Sequence, residues 1–279
     1  MTLSRRHPLV VLVVVVASIA VAASFGLFAP KVQAFYIANH ETITRNALPA
    51  NQVSQAAMQQ ILIGPPPGAG AVGSDAFATD EFRHLDNSIT PVDICARAQQ
   101  AWDTFSPVLL SGSANGPAAR AAFGGLLHAQ QDLYAHSNWV EDDIAAGTLD
   151  RLAPQIFPTC NPGDFPPDLH TGYFNIAFSS QFPLDGCPPG GPPPGFQECH
   201  LTLNKDGPTT QRGSQPVPGT DMNMYDLAAK LATTASTNLY TQLRTLVANT
   251  NGNNAANMLF QNGGPSWVLP ALASVYQGK

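Results

Sequence analysis

The sequence predicts an all-α protein, a single-domain multi-helix bundle, on three observations. Residues 117–139, PAARAAFGGLLHAQQDLYAHSNW, combine good helix formers with apolar residues at Phe123, Leu126, Leu127 and Leu133. Residues 222–249, MNMYDLAAKLATTASTNLYTQLRTLVAN, form a long amphipathic run. No segment alternates apolar and polar residues over the length of a strand, and no internal repeat interrupts the helical pattern.

Taken in order, residues 1–34 have the form of an export signal. Arg5 and Arg6 precede an apolar core from Leu9 to about Ala23, and Val32-Gln33-Ala34 is a small-x-small cleavage site. Cleavage there leaves one helical domain over 35–279, secreted or periplasmic. Without cleavage, the apolar run approaches the length of a membrane anchor. SRRHPLV is also a loose twin-arginine pattern, with Pro8 where a bulky apolar residue is preferred.

ANHETITRNALP (38–49) predicts a helix of about three turns closed by Pro49. QVSQAAMQQILIG (52–64) predicts a second, stopped by Gly64 and the prolines that follow. The stretch 64–79 is loop, DEFRHLDNS (80–88) leads into a turn, and PVDICARAQQAWDTF (91–105) begins another helix with Pro91 near its start. Residues 154–220, with CPPGGPPPGFQEC and GSQPVPGTD, are rich in proline and glycine and predict a long loop region pinned by disulfides. PSWVLPALASVY (265–276) predicts a short final helix.

The chain of 279 residues carries 13 basic and 19 acidic side chains, a net charge of −6. Removing Arg5, Arg6 and Lys31 with the signal leaves ten basic residues against nineteen acidic, a net charge of −9. Such a surface repels a phosphate backbone and argues against broad nucleic-acid binding. Four cysteines, Cys95, Cys160, Cys187 and Cys199, favour disulfides in an exported protein, and their three possible connectivities stay open. Serines occur in GSDAF, SGSAN and SSQF, but no G-x-S-x-G elbow is present, which disfavours a serine hydrolase.

Chemistry concentrates in GGLLHAQQDLYAHSNWVEDD (124–143). His128, Asp132 and His136 are spaced by four and project from one helical stripe. Two imidazoles on one face with a carboxylate can grip a divalent ion, and a carboxylate can bridge two, one through each oxygen. An apolar helix carrying such a stripe must satisfy it with something. A freed α-amino group at Phe35 could also chelate a metal with its own carbonyl, and His40 lies within one helical turn of it.

With these residues in place the chain resembles the zinc-dependent phospholipase C and single-strand-specific nuclease superfamily, and its Het-C branch most closely. LHAQQDLYAHSNWVE is similar to the branch's LHxxQDFYSHSNWVE. RHLDNS, HTGYF and CHLTLNKD stand where Het-C members carry HFDN, TSGYF and C-H-G-x-x-N-K-D, and the likeness runs from Phe35 to about Leu246. The resemblance implies an all-α fold of the zinc-dependent phospholipase C and nuclease type, with two or three zinc ions.

It implies that His84, His128 and Asp132 hold one ion, completed by Asp75 or Asp80, the acid that would also serve as general base or orient water. Phe35, through its amine and carbonyl, would hold a second ion with His40 and the other oxygen of Asp132. His136 and His200 would hold a third with a carboxylate, Asp206 or its rival Glu141; here the chain departs from the His-x3-Asp/Glu helix of better-studied members. Asp86 is expected to orient an imidazole, Asn138 and Trp139 to brace the cleft, and His170 to lie at the surface.

The activity implied is hydrolysis of a phosphoester, phospholipid more than nucleic acid, with possible peripheral membrane contact. The alternative is a non-catalytic lipid- or protein-interaction protein of the Het-C type that keeps a structural metal site.

Overall fold

A helix buried on every side must lie at the centre of its fold. Gly116–His136 is such a helix: all residues from Ala119 to His136 are buried. In the computed structural model, which describes residues 37–66, 68–77, 79–111, 116–175 and 187–261, this helix (α5) is the axis around which the others pack. The expected signal segment, Phe35 and the helix expected at 265–276 lie outside the described residues.

The helices before it are α1 (Ile37–Ala47), α2 (Gln55–Leu62), the single turn α3 (Glu81–His84) and α4 (Pro91–Leu110); those after it are α6 (Trp139–Ala146), the single turn α7 (His200–Leu203), α8 (Met224–Asn251) and α9 (Asn253–Gln261). No β-strand occurs among the described residues, only isolated bridges such as Ser137–Thr171 and Tyr173–Cys199. The fold is therefore mainly helical. None of the described helices is long and apolar enough to cross a membrane.

Local sequence explains where these helices begin. Ser54 accepts a hydrogen bond from the Ala57 N–H at the start of α2. Thr90 and Asp93 make a reciprocal capping box at α4 with Pro91 inside it, and Asn223 and Asp226 do the same at α8. The expected helix over 117–139 is in fact two. Its ladder stops at His136, because the next backbone groups pair with 170–172: Gly172 N–H donates to His136 O at 3.2 Å and Asn138 N–H to His170 O at 3.3 Å. The chain restarts as α6 at Trp139, whose indole N–H donates to Arg151 O at 3.1 Å. The helix α9 has no counterpart in the sequence reading.

Glycines let α5 approach its neighbours. A Cβ on Gly124 would lie 1.9 Å from Ile61 O and 2.6 Å from Ala71 N, and one on Gly125 would meet the Phe105 ring at 2.6 Å. Backbone from α2 and from the 70–71 loop therefore presses on α5 one turn before His128. Two disulfides tie the irregular segments down, Cys95–Cys160 to α4 and Cys187–Cys199 beside α7. They suit an extracellular protein.

Gly124→Ala is expected to destabilise the protein by about 3 kcal/mol, the upper end for overpacking. That is a fall in Tm of roughly 6–12 °C for a chain of this size. Thermal unfolding followed by circular dichroism measures it, and an unchanged Tm would contradict this packing.

Candidate metal centre

The i, i+4 spacing on α5 places His128, Asp132 and His136 on one stripe, and three separate segments close over it. From α1 comes His40, whose Nε2 lies 3.1 Å from Asp132 Oδ1. The turn α3 brings His84, with Nδ1 3.0 Å from Asp132 Oδ2. His128 Nε2 is also 3.0 Å from Oδ2. All four side chains are buried, and Asp132, His40 and His128 have no exposed surface.

The direction in which each ring nitrogen points decides what this cluster can hold. His128 Nδ1 is 2.9 Å from the carbonyl of Ala71. A carbonyl only accepts, so Nδ1 carries the ring proton and Nε2 presents its lone pair to a carboxylate oxygen. Burial pushes the imidazole down to about 4, with Asp132 pulling the other way, so a second proton is absent at neutral pH. His40 repeats the pattern: Nδ1 lies 2.6 Å from Gln131 Oε1, which leaves Nε2 to face Asp132 Oδ1. The Nε2 atoms of two imidazoles thus face the two oxygens of one buried carboxylate. Such a contact is relieved by a proton or by a metal cation, and His84 Nδ1, 3.0 Å from Asp132 Oδ2 and 3.1 Å from His128 Nε2, can supply a proton on one side. Metal-bound histidines characteristically commit their other nitrogen as His40 and His128 do.

Three groups of side chains among the described residues each bring one ligand atom apiece within 4.8 Å of one another: His40, His128 and Asp132; Asp75, His84 and His128; and Asp86, His136 and His200. With Nδ1 taken by Ala71, His128 has a single nitrogen to give. The simplest division puts His40 with Asp132 Oδ1 on one side, and His84, His128 and Asp75 with Oδ2 on the other. Neither oxygen of Asp75 takes a hydrogen bond, and neither does His84 Nε2. Imidazole and carboxylate donors of this kind suit a divalent transition ion.

The third group differs from the one expected. Asp206 Oδ1 accepts from His136 Nε2 at 2.9 Å, which turns His136 Nδ1 toward Asp86 Oδ1 at 3.4 Å. His200 Nδ1 is 3.3 Å from the same oxygen. The structure therefore brings Asp86, expected to orient an imidazole, into the group, while Asp206, the expected ligand, hydrogen-bonds His136 and has its Oδ2 3.8 Å from His200 Nε2. Glu141 is engaged elsewhere, 3.1 Å from the buried Lys205 and 3.7 Å from Arg212. Asp80 pairs with Arg83 at 2.8 Å and belongs to none of the groups, which leaves Asp75 as the acid at His128.

His170 is buried, not on the surface: its N–H donates to Asn138 Oδ1 and its Nδ1 meets Asp168 O at 2.8 Å. Trp139 braces α6 under the Arg151 guanidinium, 4.2 Å from the ring centre. Sequence reasoning passed over Gln131; its place beside Asp132, one turn from His128, was the only signal.

Without a cation the cradle is a proton store. Burial opposes charge on all these groups, yet the carboxylates of Asp132, Asp206 and Asp86 hold His136 well above its usual range. Against the same burial, Asp86 raises His200 to about 9. Asp132 is held well below the usual carboxylate range despite burial wherever the rings of His128, His136 and His40 are protonated, since their charge favours its ionised form. Asp75 is pushed well up, first by burial and then by the charges of Asp132 and Asp206. Cation binding would displace these protons.

The chain matches no family model, no curated protein and no solved structure.

Asp132→Asn is expected to remove more than one bound ion per chain, since it takes charge from both sides of a shared ligand; elemental analysis showing loss of one ion or none would contradict the sharing. A second expectation concerns pH. His200 protonation stabilises the metal-free fold fully below its unfolded value of about 6.5, and that stabilisation is lost as pH rises toward about 9. Asp75, with its pKa raised, also favours the protonated folded form, so its ionisation removes stability in the same direction. The Tm gap between metal-loaded and chelator-treated protein should therefore widen from pH 6 to pH 9, and a constant or narrowing gap would count against metal at these groups.

Proposed function

We propose that the protein is an exported zinc-dependent phosphoester hydrolase of the phospholipase C-like kind. The observation that carries this reading is the pair of Nε2 atoms, from His40 and His128, facing opposite oxygens of Asp132. A carboxylate with donors on both oxygens could serve two cations, and such ions would supply the charge that clamps the attacking and leaving oxygens of a phosphoester.

On this reading His40 and Asp132 hold one zinc, with Phe35 supplied by the resemblance. His84, His128, Asp75 and Asp132 would hold the second, and Asp86, His136 and His200 a third. When bound, zinc lets water ionise near neutral pH and polarises phosphoryl oxygens. The protein's own chemistry centres on Asp75. Its carboxyl takes no hydrogen bond and lies 3.8 Å from His128 Nε2. In the metal-free site burial, and then the charges of Asp132 and Asp206, raise its proton affinity. Asp75 would orient the attacking water and accept its proton, while His136 and His200, tied to Asp206 and Asp86, keep the far wall of the site in place. The acidic chain favours a phospholipid over a nucleic acid as substrate.

A second reading rests on burial. The candidate ligands among the described residues are at most 7 % exposed, and closed coordination is the mark of a structural metal. The protein would then be a lipid- or protein-interaction module held in shape by its ions.

The zinc-loaded protein is expected to cleave bis(4-nitrophenyl) phosphate or to release the head group of phosphatidylcholine. Asp75→Asn should slow that turnover by about 10²- to 10⁴-fold. Bound zinc with no turnover of either substrate would overturn the hydrolase reading in favour of the structural one.

A further inference from the structure

Gln131 has no exposed surface and sits where three helices meet. Its Oε1 lies 2.6 Å from His40 Nδ1 on α1. Its Nε2 donates to Thr44 Oγ1, also on α1, at 3.0 Å and to Ser236 Oγ on α8 at 3.2 Å. The two hydroxyls take the two amide hydrogens, so the oxygen is the atom turned toward the ring. The reverse orientation would aim a group with two N–H donors at a single ring nitrogen, leaving one without use in a site shut off from water. With the oxygen fixed there, His40 must carry its proton on Nδ1 and offer Nε2 to Asp132 Oδ1, 3.1 Å away.

We infer that Gln131 is a positioning residue that sets the tautomer of His40 and so equips it to hold the cation on the Oδ1 side of Asp132. The inference rests on the metal reading of the site and adds to it a division of labour. Asp132 supplies charge to both sides. Ala71, through its carbonyl, sets His128, Asp206 sets His136, and Gln131 sets His40. Of these orienting groups, the Gln131 amide alone is a neutral side chain that a carboxylate of nearly the same shape can replace. A carboxylate at 131 would accept the same Nδ1–H with full charge, while the Thr44 and Ser236 hydroxyls rotate to donate to its second oxygen. That makes the imidazole a stronger ligand.

The test is titration of the full metal-depleted protein and its variants with Zn(II) alone, together with the ¹⁵N shifts of the His40 ring. Gln131→Leu removes the acceptor. It is expected to weaken one zinc per chain by about 10- to 100-fold, the usual effect of losing an orienting partner, and to release His40 from the Nδ1–H form. Gln131→Glu is expected to restore that zinc at wild-type affinity or tighter. A merely structural role would predict that both variants lose stability without this opposite effect on zinc. Unchanged zinc affinity in Gln131→Leu, or a wild-type His40 protonated on Nε2, would overturn the inference while leaving zinc binding intact. A wild-type protein that takes up no zinc would overturn the metal reading and the inference together. Should Gln131→Leu fail to fold, Gln131→Glu decides alone, because zinc binding weaker than wild type contradicts the role.

Discussion

A carboxylate taken wholly out of water is costly by several kcal/mol unless charge and hydrogen bonds surround it. Asp132 is in that position, with no exposed surface on the axial helix of the bundle. Three imidazole nitrogens stand within 3.1 Å of its two oxygens. Two of those rings, His40 and His128, commit their other nitrogen to Gln131 and Ala71, which turns Nε2 to Asp132 as a cation-binding cluster requires. Much of the rest of the molecule arranges for this juxtaposition. The helix is buried all round, its glycines admit backbone from α2 and the 70–71 loop, and the same approach brings Ala71 O to His128 Nδ1. Packing and site are therefore one construction: the close contact at Gly124 is also what fixes a histidine tautomer one turn later.

The third group is built on a different support. Residues 170–174 thread between the ends of three segments. Thr171 N–H donates to Ser88 O, Gly172 N–H to His136 O and Tyr173 N–H to Glu198 O, and the His200 N–H returns to Tyr173 O. A Cβ on Gly172 would come within 2.6 Å of His200 Cα, so only glycine allows that crossing. Cys187–Cys199 pins the residue next to His200. Lys205, fully buried, donates to Ser137 O at 2.8 Å and to Leu203 O at 2.9 Å, closing the loop after α7 onto the end of α5. A Pro/Gly-rich segment without sustained secondary structure is thus held by backbone pairing, the two disulfides and the buried Lys205.

What the sequence revealed and what it hid follow from the range of the forces involved. The stripe of His128, Asp132 and His136 was legible because helical periodicity is local, as were the start of α4 at Pro91 and the long run of α8. Asp86 was read as a supporting group because its approach depends on two left-handed residues, Leu85 at φ 57° and Asn87 at φ 59°, which non-glycine residues seldom adopt. Asp75 and Asp80 differ by five positions in a loop, and only the tertiary path shows one at His128 and the other with Arg83. The break after His136, the burial of His170 and the disulfide pairing likewise come from contacts distant in sequence. So does the role of Gln131, since a glutamine before an aspartate carries no signal until α1 and α8 are seen to flank it.

The central claim is that Asp132 is a shared ligand, one oxygen to each of two ions. The most direct measurement is a crystal structure of the zinc-soaked protein with anomalous data collected across the zinc edge. Two zinc peaks about 3.5–4 Å apart, one toward His40 and one toward His84 and His128, are the predicted result. A single peak on one oxygen of Asp132, or none near it, would contradict the account.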